Sequence, residues 1–431
     1  MKINHLILFL IMTSMGMFFM QCTLDEGTPG SNDPALTLQA HNELSLITLD
    51  WEPVKVTGFK EYIILQSTAE IPHSPTPPIS QDVTVLTRIN QVDVTSFSTT
   101  NTLLTPVTCY KLYCSVDDRF MYSGSVCINQ TNPVFPGFFD RADHDAELPQ
   151  VAMFDRVNIQ LVALNTTTGI LDNIIPESNM SFPQLDLSTY QGNGRLFSFD
   201  LSSPQIRRYT FPDLILQNQK FLSQSIFGGL AWKDFIFLLN QNGGFGFEVL
   251  NAQTLNTIDN QIGLGGSRNI AVFEGDPLIV MEIGDAGIIR YEINAVGKVV
   301  NSNQFITGAQ QPGTQNTCET NDEYYVGGRF ATIINKNADV ITNLASGLNS
   351  FTQLCRFSPD GSKVALIVNN INLVELQIFD ISDLPATTKI QTYNLPVATY
   401  ADMFYKDNAI HVIGVTFNSS SPQTFLLKFP E

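Results

Sequence analysis

A run of alternating acidic residues is the feature of this sequence whose side chains could most directly do chemistry. Asp140, Asp143, Asp145 and Glu147 surround His144 in the segment DRADHDAE. Carboxylate oxygens are the ligands that Ca²⁺ prefers, so the run could supply part of a calcium site. It lacks the rest of a calcium-binding loop and falls where a hairpin turn is expected, so a solvated turn is the favoured interpretation. No metal ligand is assigned.

Short catalytic motifs are absent from the sequence. It contains no HExxH, GxSxG or CxxC, no phosphate-binding glycine loop and no dinucleotide-binding fingerprint. Beyond the N-terminal segment the histidines are too scattered in sequence to predict a zinc site: His41, His73, His144 and His411. No catalytic residue and no cofactor is assigned. Enzymatic activity stays open, with binding favoured, because a site assembled from distant segments leaves no compact motif.

Four arginines are the candidate ligand-binding residues: Arg156, Arg195, Arg268 and Arg329. A guanidinium group binds a carboxylate through two parallel hydrogen bonds, so arginines gathered on one surface would recognise anionic groups. Arginines in loops are more commonly just solvated, and that alternative stays open.

Composition limits the classes of partner. The chain has 431 residues, 43% of them hydrophobic, which suffices for a sizeable core and suggests two or three domains. Its 41 acidic residues against 23 Lys and Arg give a formal net charge of -18. A chain with this charge repels phosphate backbones, so nucleic-acid binding is not expected.

The N-terminal segment predicts where the protein is located in the cell. Lys2 precedes the apolar run 6–20, which is too short for a transmembrane helix, and Cys22 follows. This arrangement resembles a bacterial lipoprotein signal and implies removal of 1–21, a lipid on Cys22, a flexible tether over 22–35 and a place in the bacterial cell envelope. The residues just before Cys22 are larger than usual for such signals. An ordinary signal peptide with an incidental cysteine is the alternative.

Residues 36–131 show short alternating strands separated by turn residues, a pattern typical of a β-sandwich. The segment 104–116 resembles strand F of a fibronectin type III domain, with Tyr110 as its corner tyrosine. Trp51, in the strand ending LDWEP, sits where that family keeps its core tryptophan. The resemblance implies a module that spaces or presents another domain.

The same resemblance bears on the cysteines. It implies that Cys114 points inward as a buried thiol, and that Cys109 points outward, opposite Cys127 on the next strand. A cross-strand disulfide between Cys109 and Cys127 is then possible in an oxidising compartment. Cys318 and Cys355 fall on expected inner strands of neighbouring repeats, where either a bridge or two small core residues would fit.

An internal repeat fills the remainder of the chain. A short apolar strand ending in Asn or Asp recurs at intervals of 35 to 51 residues, and its ends are Asn165, Asp200, Asn251, Asn294, Asn335 and Asp380. A seventh copy ends at Phe429. An Asp also recurs in the hairpin before each of the later copies: Asp234, Asp276, Asp322, Asp360 and Asp407. This period is near the length of one four-stranded propeller blade.

The segment FSPDGSKVALI at 357–367, followed by LQIFDIS, is similar to the blade repeat of TolB-like and WD40-like propellers. The fold class implied is all-β: a fibronectin type III-like sandwich followed by a seven-bladed β-propeller over 132–431. In each blade, strands A to D run from the channel outward, an A–B turn carries the Asp and strand C ends in the Asn or Asp. The chain ends after the last strand C, so closure needs a strand from near 120–135 or a three-stranded blade.

This arrangement leads to a functional expectation. It puts Arg156, Arg195 and Arg329 in B–C loops and Arg268 in a D–A loop, hence all on one rim. We expect a lipid-anchored binding or scaffold protein whose propeller face binds a protein or glycan, and the four arginines would suit an anionic one. The alternative is a propeller hydrolase or lyase acting on polysaccharide, which a metal or three carboxylates converging at the channel would favour.

Overall fold

The structure, a computed structural model, describes residues 36–43, 45–100, 107–129, 134–177, 180, 182–240, 246–263, 267–284, 287–305, 319–345, 350–370, 373–416 and 422–431. Every regular element in these ranges is a β-strand, so the all-β class is confirmed. Within them, no helix is long and apolar enough to cross a membrane. The expected signal peptide, tether and Cys22 lie outside the described residues.

The chain divides into two compact units. One comprises the described residues up to Ala40 with Leu49–Ser96 and Val107–Ile128; the other comprises those of His41–Thr48, Phe97–Pro106 and Asn129–Glu431. The expected boundary between residues 131 and 132 does not coincide with this division, because two segments of the expected sandwich group with the C-terminal sheets.

The N-terminal strands form two sheets. Their bounds are β1 (Leu38–Glu43), β2 (Leu46–Trp51), β3 (Phe59–Ser67), β4 (Val83–Ile89), β5 (Ser96–Thr100), β6 (Val107–Val116), β7 (Arg119–Tyr122) and β8 (Val126–Asn129). One sheet has the order β1-β2-β5, and the other the order β4-β3-β6-β7 with β8 also paired to β6. In the first unit, the buried rings of Trp51 and Tyr62 meet edge to face, with centroids 5.4 Å apart.

Seven four-stranded sheets follow in the described ranges, and the first six are meanders of consecutive strands. After β9 (Val134–Pro136), the first four sheets contain β10 (Arg141–His144), β11 (Gln150–Asp155), β12 (Gln160–Asn165), β13 (Ile170–Pro176); β14 (Pro183–Tyr190), β15 (Asn193–Asp200), β16 (Gln205–Phe211), β17 (Leu216–Phe221); β18 (Ile226–Trp232), β19 (Phe235–Asn240), β20 (Gly246–Asn251), β21 (Thr257–Ile262); and β22 (Ser267–Phe273), β23 (Leu278–Gly284), β24 (Gly287–Ile293), β25 (Val299–Phe305). The last three contain β26 (Glu319–Thr320), β27 (Tyr324–Gly327), β28 (Thr332–Asn335), β29 (Val340–Asn343); β30 (Ser350–Phe357), β31 (Lys363–Asn370), β32 (Leu373–Asp380), β33 (Thr388–Leu395); and β34 (Thr399–Lys406), β35 (Ala409–Thr416), β36 (Gln423–Pro430).

The seventh sheet is completed from the other end of the repeat region. β36 pairs antiparallel with β9, through Thr424 and Phe135 and their neighbours. The outer strand of the last blade therefore precedes the first blade in sequence, which joins the two ends of the ring. Farther along β36, the Ser45 backbone N–H donates to the Lys428 carbonyl at 2.8 Å, and the Lys428 N–H donates to Ser45 Oγ at 2.6 Å.

Apolar layers between neighbouring sheets make up the core of the second unit. In one layer, Phe237 and Phe247 of the third sheet pack with Val280 and Tyr291 of the fourth, and the rings of Phe247 and Tyr291 stack with centroids 4.2 Å apart. Strands in the middle of a blade are covered on both faces by such layers, so their residues are apolar in nearly continuous runs rather than in alternation. The outer strands alternate, as in β13.

The recurring Asn and Asp residues stabilise turns. The Asn251 side-chain oxygen accepts hydrogen bonds from the backbone N–H groups of Gln253 and Thr254 at 3.0 and 2.8 Å. The Asp200 carboxylate accepts one from Ser202 N–H in the same way. Asp200, however, ends β15, which lies between β14 and β16 and is strand B of its blade. Its assignment to a strand C was wrong, because a B–C turn here uses the same Asx chemistry as the C–D turns elsewhere.

Candidate functional site

The inner strands of the blades fix which connections share a face. The Asp143 carboxylate accepts the Leu187 N–H at 2.5 Å, and the Asp145 carboxylate accepts the Thr189 N–H at 2.6 Å. From the first contact to the second, the residue number rises by two on both strands. The inner strands of the first two blades therefore run parallel. We call the side formed by the B–C and D–A connections the upper face, and the side formed by the A–B and C–D connections the lower face.

The structure separates the four candidate arginines. Arg156 and Arg329 lie in the B–C turns of the first and fifth blades, and Arg268 is the second residue of β22, where the inner strand begins. These three positions belong to the upper face. Arg195 lies near the start of β15, beside the A–B turn, and so belongs to the lower side of its blade. The expectation of one rim of four arginines was therefore wrong, because it used the misassigned strand at Asp200.

Arg195 is a structural residue. It is 7% exposed, its Nη1 donates to the Lys233 carbonyl at 2.7 Å, and its guanidinium carbon lies 4.5 Å from the centre of the Tyr190 ring. Burial lowers its pKa from the ordinary value. The side chain links the second and third blades and is not placed to bind a ligand.

Arg156 is placed differently. Its guanidinium carbon lies 3.9 Å from the centre of the Phe182 ring, and its Nη1 is 3.3 Å from an Asp140 oxygen. The Arg156 side chain is 40% exposed, whereas that of Asp140 is 9% exposed. The upper face therefore presents the cation rather than the carboxylate. Arg329 is half-buried, with its guanidinium carbon 5.5 Å from the Phe330 ring.

Exposed phenylalanines are unevenly distributed over the described part of the second unit. Its exposed phenylalanines in the described ranges all lie on the upper face: Phe182, Phe221 and Phe351. Exposed aliphatic residues on the same face are Val157, Ile159, Ile262, Leu373 and Val397. The other exposed large apolar residues of this unit are aliphatic and lie on outer strands or beside lower-face turns. The upper face thus differs from the rest of this unit in its exposed aromatic residues, a residue type enriched at protein interfaces.

Charged side chains converge where the inner strands of the sixth, seventh, first and second blades meet. Arg356 Nη2 donates to one Asp402 oxygen at 2.7 Å, and His144 Nδ1 lies 2.9 Å from the other. Asp143 accepts from the next inner strand as described above, and the Asp186 carboxylate accepts the Ala231 N–H at 2.8 Å. The expected solvated turn is therefore wrong for Asp143 and Asp145, since both cap backbone groups of β14.

The carboxylates of this group differ in ionisation. Burial, with the negative charges of Asp402 and Asp186, raises the pKa of Asp143 well above 3.8. Burial also raises the pKa of Asp186, to about 7, although the Ala231 N–H and Arg195 oppose the shift. Burial acts on Asp402 in the same direction, but His144 and Arg356 hold its pKa below the ordinary value.

Three of these side chains could contribute to a metal site. One ligand atom each from Asp143, His144 and Asp402 lies within 4.8 Å of the others. The two Asp402 oxygens are already occupied by Arg356 and His144, however, and the guanidinium would repel a cation. The existing contacts thus account for Asp402 without a metal.

Sequence reasoning missed Asp186, Arg356 and Asp402. A signal was present, since each is a charged residue flanked by apolar residues on an inner strand: Asp186 in PQLDLSTY, Arg356 in SFTQLCRF and Asp402 in TYADMFYK. A charged residue between buried apolar neighbours is expected to have a specific partner.

The cysteines occupy the N-terminal strands and one inner strand. Cys109 and Cys127 are joined in a disulfide between β6 and β8. Cys109 is 1% exposed rather than outward-facing, because both faces of β6 are covered. Burial raises the pKa of the Cys114 thiol to about 11. Cys355 is buried on β30, and Cys318 lies outside the described residues.

Comparison with known proteins identifies the fold. No protein-family model matches the chain, and no curated protein sequence matches it significantly. Among solved structures it is similar to U3-55K (9% identity, TM-score 0.50, 70% of this chain and 97% of that one) and to the β-propeller domain of Cps50 (Swd1) from Myceliophteria thermophila (11%, 0.51, 69% and 98%). The C-terminal WD40 domain of Sif2 also matches (13%, 0.46, 74% and 89%). At such low identity the likeness shows the fold alone, a β-propeller.

Proposed function

We propose that this protein is a scaffold that uses the upper face of its propeller to bind another protein. The observation that carries the proposal is that the exposed phenylalanines in the described part of the second unit all lie on that face, with Arg156 stacked on one of them. Aromatic residues, phenylalanine included, and arginine are enriched at protein interfaces.

The proposal includes the N-terminal third. The segment ending at Cys22 supports a lipid anchor in the bacterial cell envelope, and the two N-terminal sheets support a fibronectin type III-like sandwich that holds the propeller away from the membrane. The sheet orders β1-β2-β5 and β4-β3-β6-β7 and the buried Trp51 are consistent with that module.

Binding is tested with paired surface variants. Phe221→Ser with Phe351→Ser changes the upper face, and Ile170→Ser with Val340→Ser is a control with exposed residues elsewhere on the propeller. Both pairs should leave thermal unfolding nearly unchanged. We expect a partner cross-linked in envelope preparations to be lost with the first pair and retained with the second. Equal recovery with both pairs would refute binding by the upper face.

Anchoring is tested separately with Cys22→Ala. If Cys22 carries the lipid, this variant should move from the detergent phase to the aqueous phase in phase partitioning, because it lacks the acyl chains. Unchanged partitioning refutes the lipid anchor and leaves the binding proposal standing.

A second candidate function has one observation in its favour. Asp143, Asp186 and Asp402 converge near the channel, as the polysaccharide hydrolase or lyase alternative requires. Their oxygens are largely engaged by neighbouring backbone and side-chain groups, which favours a structural role. Cleavage of acidic or neutral polysaccharides by the purified protein, abolished in Asp143→Asn, would establish the enzyme instead.

A further inference from the structure

The B–C turn of the first blade contains a backbone conformation that its sequence does not favour. Ile159 has a φ of 53°, in the left-handed region, and it alone among the described residues with positive φ is β-branched. This conformation costs a non-glycine residue about 1–2 kcal/mol, and a β-branched one is a particular outlier.

Burial does not account for this strain. Leu214 and Leu255 also have positive φ, but each is 2% exposed and packs in a core layer. Ile159 is 40% exposed, and its neighbour Val157 is 64% exposed. Two aliphatic side chains are thus held in solvent by a turn that Gly or Asn would form more easily.

The turn is also rigid. One Asp155 oxygen accepts the N–H groups of Val157, Asn158 and Phe138 at 2.9, 3.3 and 3.3 Å. The other Asp155 oxygen accepts Asn158 Nδ2 at 2.6 Å, and the Ile159 carbonyl accepts the Glu177 N–H at 2.8 Å. These bonds fix the turn before any partner arrives, which lowers the entropic cost of binding.

The same turn carries a cation. Arg156 stacks on Phe182, itself 38% exposed, and Asp140 engages one of its terminal nitrogens at 3.3 Å. The Asp155 oxygens are occupied by donors from the turn, so the accessible charge at this place is the guanidinium. A carboxylate can bind it while an adjacent apolar side chain packs on Val157 and Ile159.

We propose that Arg156, Val157, Ile159 and Phe182, the first-blade patch, form a docking site for an extended segment of a protein in which Asp or Glu stands beside an apolar residue. The proposal rests on the proposed function, because it names the chemistry of the partner that the upper face binds. In this proposal the strained backbone conformation of Ile159 serves partner binding rather than folding.

The experiment uses a displayed library of short random peptides, selected on the full-length protein. Ile159→Gly relieves the backbone strain, and Gln191→Gly is the matched control, since Gln191 is exposed on the lower face with a φ of 52°. Both variants should unfold at the same temperature as the wild type or higher. The selected peptides should pair Asp or Glu with an apolar residue and should bind Ile159→Gly at least tenfold more weakly, but Gln191→Gly with unchanged affinity.

Arg156→Gln distinguishes the charge from the apolar contact. It should abolish the preference for Asp or Glu over Asn or Gln in the selected peptides. Peptides without carboxylates, or equal affinity for Ile159→Gly and the wild type, would overturn the assignment. If binding is instead lost only with Phe351→Ser, the upper face binds proteins but the first-blade patch is not the site. If no peptide binds the upper face, both proposals fail.

Discussion

At the scale of single residues, the carboxylates near the channel are placed where they connect one blade to the next. Asp143 and Asp186 each accept a backbone N–H from the following inner strand, while Asp402 is held by Arg356 and His144. Asp402 therefore stays ionised, and Asp143 and Asp186 favour the protonated form. The contribution of Asp143 and Asp186 to stability should therefore decrease as pH rises, whereas that of an ordinary paired carboxylate decreases as pH falls.

Asp186→Asn should make the protein less sensitive to pH. The pKa of Asp186 is raised from 3.8 to about 7 in the fold, so its protonated form contributes stability at low pH that is lost as pH rises toward 7. At 1.36 kcal/mol for each unit of pKa, the contribution of Asp186 to the free energy of unfolding should fall by about 3 kcal/mol between pH 5 and pH 8 in the wild type. Asn cannot ionise and still accepts the Ala231 N–H, so Asp186→Asn should show a smaller fall in urea titrations.

Asp360→Asn is the control for this prediction. Hydrogen bonds from Ser358 and Ser362 lower the pKa of Asp360 to about 2, so that carboxylate is ionised at both pH values. Its replacement should lower stability equally at pH 5 and pH 8. An unaltered pH dependence in Asp186→Asn would show that Asp186 is ionised in the fold.

The acidic run at 140–147 shows what could and could not be predicted from residue types alone. Its alternating carboxylates mark polar positions at the end of the inner strand β10, and the expected hairpin turn follows this strand. The donors to these carboxylates could not be predicted, because the Leu187 and Thr189 N–H groups are more than forty residues away and meet Asp143 and Asp145 only when the first two blades pack together.

At the scale of elements, the repeat could be recognised in the sequence because the blades stabilise their turns with the same Asn or Asp side-chain hydrogen bonds. The Asn or Asp after strand C accepts backbone N–H groups two to four residues farther on, at Asn165, Asn251 and Asn294 among others. Asp200 satisfies the same local rule on strand B. The intervals of 35 and 51 residues on either side of it were the available signal, since Asn165 and Asn251 are two ordinary blades apart.

Asn251→Ala should destabilise the third blade by about 1–2 kcal/mol. The Asn251 oxygen accepts the Gln253 N–H, the Thr254 N–H and the Thr254 hydroxyl, and Ala leaves these donors without it. The free energy of unfolding from urea titrations measures the effect. Asn303→Ala, on the exposed outer strand β25, should change it by less than about 0.5 kcal/mol. Equal effects would mean that the Asx turn contributes nothing.

At the scale of the whole molecule, closure joins segments that are far apart in sequence. β9 pairs with only the first part of β36, at residues 423–425, and Thr424 Oγ also accepts the Phe139 N–H at 3.2 Å. Sequence spacing indicated that the last blade lacked a strand, which residues near 120–135 could supply unless the blade had only three strands. It gave no sign that Ser45 also reaches β36, because no local pattern marks a contact made across more than 380 residues.

Ser45→Pro in the full-length protein should weaken the last blade. Proline removes the N–H that donates to the Lys428 carbonyl and the hydroxyl that accepts the Lys428 N–H, so a buried donor loses its partner. We expect a loss of about 2–3 kcal/mol and faster amide exchange along β36, whose outer edge is paired with β9 only at one end. Ser45→Ala removes the acceptor alone and should cost about 1 kcal/mol, whereas Ser302→Ala, exposed on β25, should cost almost nothing. If β36 exchanges at the wild-type rate in Ser45→Pro, β9 closes the ring without residues 41–48, and the propeller can then be expected to fold from residue 132 onward.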